Sequence, residues 1–152
     1  MNTEPIDWSV LLTDPRHQER AFRQLVTEYG PRLHAHILRM VSVGADADDV
    51  LQNTLVKAYR GLERYRGDSK IYTWLYRIAT NESLTWLEKR RRRLSLNLDD
   101  QGAWVAETLR AEPYFDGDEA QRRLQSAIAT LPDKQRAVFN LRYFDEMPYQ
   151  EI

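Results

Sequence analysis

The chain has 152 residues, no cysteine, and 22 Lys+Arg against 23 Asp+Glu, for a formal net charge of −1. That length accommodates one compact domain or two small ones, and 42% apolar residues suffices for a core. The absence of cysteine excludes a disulfide scaffold, a thiol nucleophile and a thiolate zinc site, and no apolar run approaches the roughly 18 residues of a membrane span. The opening Met1-Asn2-Thr3-Glu4-Pro5 lacks the basic-then-apolar profile of a secretory signal, so a soluble, cytoplasmic protein is expected.

From Arg16 to Val43 the pattern is helical. Phe22, Leu25, Val26 and Tyr29 recur at three-to-four spacing, and Leu33, Ile37, Leu38 and Val41 continue it. Gly30-Pro31 predicts a break, with Pro31 in the first turn of a second helix that Gly44 ends. Asp46 is the candidate N-cap of the next helix, and Asp48 and Asp49 suit its positive dipole end. That helix runs to about Tyr65, with Leu51, Leu55, Ala58 and Leu62 as its buried stripe. Asp49, Gln52, Asn53, Lys57 and Arg60 occupy its other face.

Arg66-Gly67-Asp68-Ser69 reads as a turn whose Asp or Ser caps a third long helix. In that aromatic-rich helix Ile71, Trp74, Leu75, Ile78 and Ala79 make a core face. Tyr72, Thr73, Tyr76, Arg77, Thr80 and Asn81 fall largely outside it. The helix ends in five consecutive cations, Lys89, Arg90, Arg91, Arg92 and Arg93.

Residues 94–118 lose periodicity, and Gly102, Pro113 and Gly117 break any regular element. This is a flexible acidic linker by pattern, spanning at most about 80–90 Å when extended. Trp104, Val105, Leu109, Tyr114 and Phe115 are apolar enough for part of it to dock. Helical pattern resumes at Glu119 with Leu124, Ala127, Ile128 and Leu131. Pro132 ends that helix, and Asp133 opens another carrying Ala137, Val138, Leu141 and Phe144. Asp145-Glu146-Met147-Pro148 is a turn, and Tyr149-Gln150-Glu151-Ile152 starts one further helix.

The small net charge conceals blocks. Residues 51–93 carry 11 basic and 4 acidic side chains, a net of +7, whereas residues 94–120 carry 1 and 7, a net of −6. Such asymmetry marks interaction surfaces. Taken alone, the basic run is either a solvated helix end suited to the dipole or a phosphate-binding tract. Upstream of it lie Tyr72, Trp74, Tyr76, Arg77, Asn81 and Trp86, and aromatics beside cations are the recipe for single-strand binding. Trp74 taken alone is more often a core residue than a base platform. Asp48, Asp49 and Gln52 are either a capped, solvated helix start or a docking face for a basic partner.

Signals for an enzyme are weak. His34 and His36 are two apart, so on a helix they diverge and cannot share a metal. The glycines form no phosphate-cradling loop, and no cofactor is implied.

Four runs then combine: Asp48-Asp49-Val50-Leu51-Gln52, Lys57-Ala58-Tyr59-Arg60, Tyr65-Arg66-Gly67-Asp68-Ser69, and Tyr72 through Asn81. Together they closely resemble the extracytoplasmic-function (ECF) subfamily of bacterial sigma-70 factors. Leu131-Pro132-Asp133-Lys134-Gln135-Arg136, with Leu141-Arg142-Tyr143 and Tyr149-Gln150-Glu151-Ile152, resembles the start of that family's second DNA-binding domain. The resemblance implies an all-α protein of two small helical domains, 1–93 and 119–152, joined by the acidic linker 94–118. The first would bind RNA polymerase core and the promoter's minus-ten element. The second would be a helix-turn-helix domain that stops before its recognition helix.

Residue by residue, the resemblance puts Asp48, Asp49, Gln52 and Asn53 against the coiled coil of the polymerase clamp. Arg64, Arg66, Asp68, Ser69, Lys70 and Tyr72 belong to the loop that captures an extruded base. Thr73, Trp74, Arg77 and Asn81 match the helix supporting that pocket and the melted strand. Lys89 to Arg93 would hold phosphates. Lys70-Ile71 departs from the family's usual small residue followed by an aromatic. The partners implied are polymerase core, promoter DNA and an anti-sigma factor. The alternative reading is a helical DNA-binding regulator that acts without polymerase.

Overall fold

A computed structural model describes residues 8, 12, 14–65, 67, 69–95 and 119–152. Helices are the regular structure throughout these residues: α1 (Gln18–Val41), α2 (Gly44–Arg60), α3 (Ile71–Ser95), α4 (Glu119–Ala129) and α5 (Asp133–Phe139). Short 3₁₀ turns occupy Leu62–Arg64 and Tyr149–Glu151, and α5 runs into a π-helical turn at Asn140–Phe144. The all-α reading holds. Residues 96–118, nearly all of the acidic linker, lie outside the described residues.

The first three helices pack mutually around Leu25, Leu33, Ile37, Met40, Val50, Leu62, Leu75 and Leu87. Trp8 and Leu12 are buried in the same cluster, and the Trp8 ring meets Tyr29 edge-on at 6.5 Å. The helical pattern read from the sequence starts only at Arg16 and leaves both out, although Trp8 and Leu12 are four apart, a helical spacing, in a run that also holds Ile6, Val10 and Leu11.

Three local expectations are corrected. First, α1 is continuous through Gly30-Pro31. Pro31 and Thr27, whose carbonyl loses its partner to the proline ring, both lie on the exposed side where water can replace that bond. Leu25 and Leu33 hold the two halves to one core. Second, Gly44 opens α2 instead of ending α1. Ser42 takes the left-handed position at φ 65°, its N–H donating to the Leu38 carbonyl at 2.8 Å. Asp46 therefore stands in the first turn and Val43 at the cap position.

Third, the buried stripe of α2 is Ala47, Val50, Thr54 and Ala58, with Leu51 and Leu55 only half-buried. Small side chains let the neighbouring helices come close. Thr54 is acceptable inside because its hydroxyl donates to the Val50 carbonyl at 2.8 Å.

The second unit is smaller. Its α4 is mostly solvated, with Leu124 52% exposed and Ile128 buried, while Ala137, Leu141 and Met147 join the main core. Buried Arg136 donates to the Met40 carbonyl at 2.8 Å near the end of α1. The two units therefore touch directly.

Leu75 is fully buried and Val56 is 43% exposed. Leu75→Ala is expected to destabilise the chain by about 2–5 kcal/mol, whereas Val56→Ala stays within about 0.5 kcal/mol. Urea unfolding followed by circular dichroism checks this, and equal midpoints for the two variants would contradict the assigned core.

Candidate nucleic-acid interface

The face of α2 is set by its buried side. With Ala47, Val50 and Thr54 inside, Asp48, Asp49, Gln52 and Asn53 all stand exposed on the first turns. Asp48 is held in place: His34 on α1 donates from Nε2 to its Oδ1 at 2.9 Å. The same exposed side continues through Val56 and Tyr59, the latter 46% exposed with its ring against Phe22 at 5.1 Å. The sequence reading missed these two, although Asn53, Val56 and Arg60 follow one another at helical spacing.

The loop between α2 and α3 is closed by its own residues. Tyr65 is buried, its hydroxyl donating to the Ser69 carbonyl at 2.7 Å and its ring tilted against Trp74 at 5.1 Å. Gly67 takes φ 79°, a left-handed conformation that costs glycine nothing. Gly61 admits the Trp74 ring, since an added Cβ there would sit 3.4 Å from Cζ2 and 3.1 Å from the Lys57 carbonyl. Trp74 thus braces the loop from behind, half-buried. Arg64 and Lys70 stand exposed at the loop's two ends. Arg66 and Asp68 lie outside the described residues.

On α3 the buried seam is Ile71, Leu75, Ala79, Ser83, Leu87 and Arg90. Thr73, Arg77 and Asn81, spaced by four, line one cleft of about 100 Å³ together with Tyr76 and Thr80. The far wall of that cleft is Leu141, Met147, Glu151 and Ile152 of the second unit. Thr73 is consequently 3% exposed and Tyr76 1%, although both fall outside the core face by pattern. The Tyr72 hydroxyl donates to Glu151 Oε2 at 2.8 Å, and the Thr73 hydroxyl to the same oxygen at 3.3 Å. Lys70 Nζ lies 3.7 Å from Glu151 Oε1.

Deeper in, the Tyr76 hydroxyl donates to Asp145 Oδ1 at 3.0 Å. Burial first, then the negative charge of Asp145, push the phenol well above its ordinary pKa, so it stays a donor. His36 Nδ1 lies 3.4 Å and Arg39 3.7 Å from the same carboxylate, and His36 Nε2 is 2.9 Å from Thr80 Oγ1. The sequence treated His36 only as a non-ligand. Its position on the inner side of α1, one turn before Met40, was the available signal.

The basic run divides. The helical period turns Arg90 inward behind Ser83 and Leu87, and its guanidinium covers the Trp86 ring at 5.2 Å. Arg91 donates to Asp133 at 2.6 Å and Arg92 to Glu88 at 2.7 Å. Lys89 and Arg93 are exposed. The five are not equivalent cations. Among the described residues no group of three or more His, Cys, Asp or Glu side chains could hold a metal, and no helix is long and apolar enough to cross a membrane.

Comparison with known proteins gives two matched regions: Sigma-70 region 2 over residues 25–93 and Sigma-70, region 4, over residues 121–152. The RNA polymerase sigma-H factor of Pseudomonas aeruginosa is 34% identical over 168 aligned positions, covering 100% of this chain and 83% of that protein. The ECF RNA polymerase sigma-E factors of Salmonella typhimurium and Escherichia coli are 34% identical over 142 positions, covering 88% of this chain and 74% of theirs. Among solved structures, the sigma factor RpoE in complex with the anti-sigma factor NepR from Bartonella quintana shares the fold at a TM-score of 0.68 and 22% identity, over 87% of this chain and 80% of that one. By sequence and by fold, this chain belongs to the sigma-70 family of RNA polymerase sigma factors, the transcription initiation factors, in its extracytoplasmic-function group.

Proposed function

We propose that the chain binds polymerase core through Asp48, Asp49, Gln52 and Asn53, directs it to particular promoters, and opens the minus-ten element by capturing non-template-strand bases. In this reading the α2 face meets the coiled coil of the polymerase clamp. The loop from Arg64 to Tyr72 takes the extruded base, and Arg77 and Asn81 follow the melted strand along α3. The observation that carries it is the row Thr73, Arg77 and Asn81, which repeats every four residues beside the braced loop. A single strand tracks such a row when a cation holds its phosphates and an amide meets its base edges.

No bond is made or broken. Extruding a base costs a few kcal/mol, and stacking of about 1–3 kcal/mol per base with edge hydrogen bonds offsets it. Lys89 and Arg93 then serve phosphates, while Arg90 and Trp86 stiffen the end of α3. The linker 94–118, with its acidic block, suits a channel built for nucleic acid. It joins a polymerase-binding domain, 1–93, to a promoter-binding one, 119–152. By analogy with the solved RpoE–NepR complex, an anti-sigma protein is a fitting regulator. The cytoplasm is where such a factor meets its polymerase.

Two outcomes separate this reading from a regulator that acts without polymerase. Asp49→Arg is expected to abolish co-purification with core polymerase while leaving the helical circular-dichroism signal intact, because Asp49 is exposed. Undiminished co-purification would remove the α2 assignment. Asn81→Ala is expected to change base preference at one minus-ten position. Lys89→Ala, in contrast, weakens all sequences about equally and lowers the salt slope by roughly 1. Binding of randomised minus-ten oligonucleotides at several salt concentrations measures both, and identical profiles would mean that Asn81 positions the strand without reading it.

A further inference from the structure

The start of α2 has no side-chain cap. Val43 at the cap position carries no oxygen for the free N–H groups of the first turn, and Gly44 behind it has more backbone freedom to lose than any other residue. These opening turns nevertheless carry Asp48 and Asp49, half of the face assigned above to polymerase. A contact from outside the helix reaches them. His34 Nε2 on α1 lies 2.9 Å from Asp48 Oδ1, although the two stand 14 positions apart in sequence. An ionised carboxylate only accepts, so the ring nitrogen is the donor. Core packing sets both partners: Leu33 and Ile37 are buried beside His34, and Ala47 and Val50 beside Asp48. The bond uses one carboxylate oxygen. The Asp48 side chain remains 73% exposed, so its other oxygen can still meet a partner.

We propose that His34 is a positioning residue for polymerase binding, which stands in for the missing cap, fixes the opening turns of α2 and presents the Asp48 carboxylate in one orientation. The inference rests on the reading of the α2 face as the polymerase contact. An aspartate on an uncapped helix start must be ordered when the partner arrives, and that ordering is subtracted from affinity. A carboxylate already tied through one oxygen loses less. The pair is too exposed to weigh much in folding, where burial of Leu33 and Ile37 dominates. Its effect therefore falls on binding, and His34 exerts it only through Asp48.

The test uses the full chain, labelled with fluorescein at its N-terminus and titrated with purified bacterial core polymerase by anisotropy. Asp48→Ala is expected to weaken binding about tenfold and His34→Leu about threefold. His34→Gln keeps a neutral donor and is expected to bind like the wild type. The chain carrying both His34→Leu and Asp48→Ala is expected to bind no worse than Asp48→Ala alone. Amide hydrogen exchange over residues 47–50 is expected to be faster in His34→Leu and restored in His34→Gln, with the urea midpoint of all three chains unchanged. This pattern supports the proposal. It is overturned if His34→Leu binds like the wild type, if His34→Gln fails to restore binding, or if the losses in the double variant add. Failure of the underlying reading looks different: Asp48→Ala and Asp49→Arg would both leave binding intact, which removes the α2 face and the role of His34 with it.

Discussion

The burial of α3 along Ile71, Leu75, Ala79 and Leu87 determines where every other side chain on that helix can point. With about 100° of rotation per residue, positions two places on from the seam lie roughly 200° around the axis. Thr73, Arg77 and Asn81 occupy those positions. Their alignment is thus a by-product of core packing, and no separate interaction is needed to line them up. The loop before α3 depends on the same seam, because Trp74 can brace Tyr65 only while its neighbours Ile71 and Leu75 fix the start of the helix. A substitution that rotated α3 by one residue would turn the whole row away by about 100° and release the loop together.

Much of this was legible in the sequence, and the failures have physical causes. Helix positions followed from three-to-four spacing of Leu, Ile and Val, which dominates wherever large apolar residues form the contact. The reading of α2 slipped to Leu51 and Leu55 because close helix packing there selects small residues, Ala47, Thr54 and Ala58, which carry little periodic signal. The break expected at Pro31 ignored how cheaply a solvent-facing carbonyl gives up its intrahelical partner. In the candidate site, residue types were legible but their occupancy was not. Glu151 and Tyr72 are 79 positions apart, and no local pattern joins them. The inward turn of Arg90 was readable from Ser83 and Leu87, but five consecutive cations conceal a period.

The contact between the two units differs from the core in kind. The first unit is held by Leu, Ile, Met and Val. The second meets it through Arg136, Asn140, Asp145 and Glu151, beside a few apolar side chains such as Leu141 and Met147. Buried polar pairs lose most of their Coulomb attraction to desolvation, so they fix orientation more than they add stability. Each retains a satisfactory alternative in water or in another polar partner. Ala137, Leu141 and Met147, which join the main core, supply the apolar part of the same contact.

The π-helical turn at Asn140–Phe144 carries a consequence for that register. Its wide hydrogen bond, from the Asp145 N–H to the Asn140 carbonyl at 3.2 Å, accommodates one residue more than an α-helical turn would. That extra residue sets the angular phase of everything downstream. Deleting it would restore an ordinary helix and swing Asp145 by about 100° away from Tyr76 and His36. Composition and net apolar content would hardly change. In this chain the length of one turn, counted in single residues, acts as a phase setting for the contact between the two units.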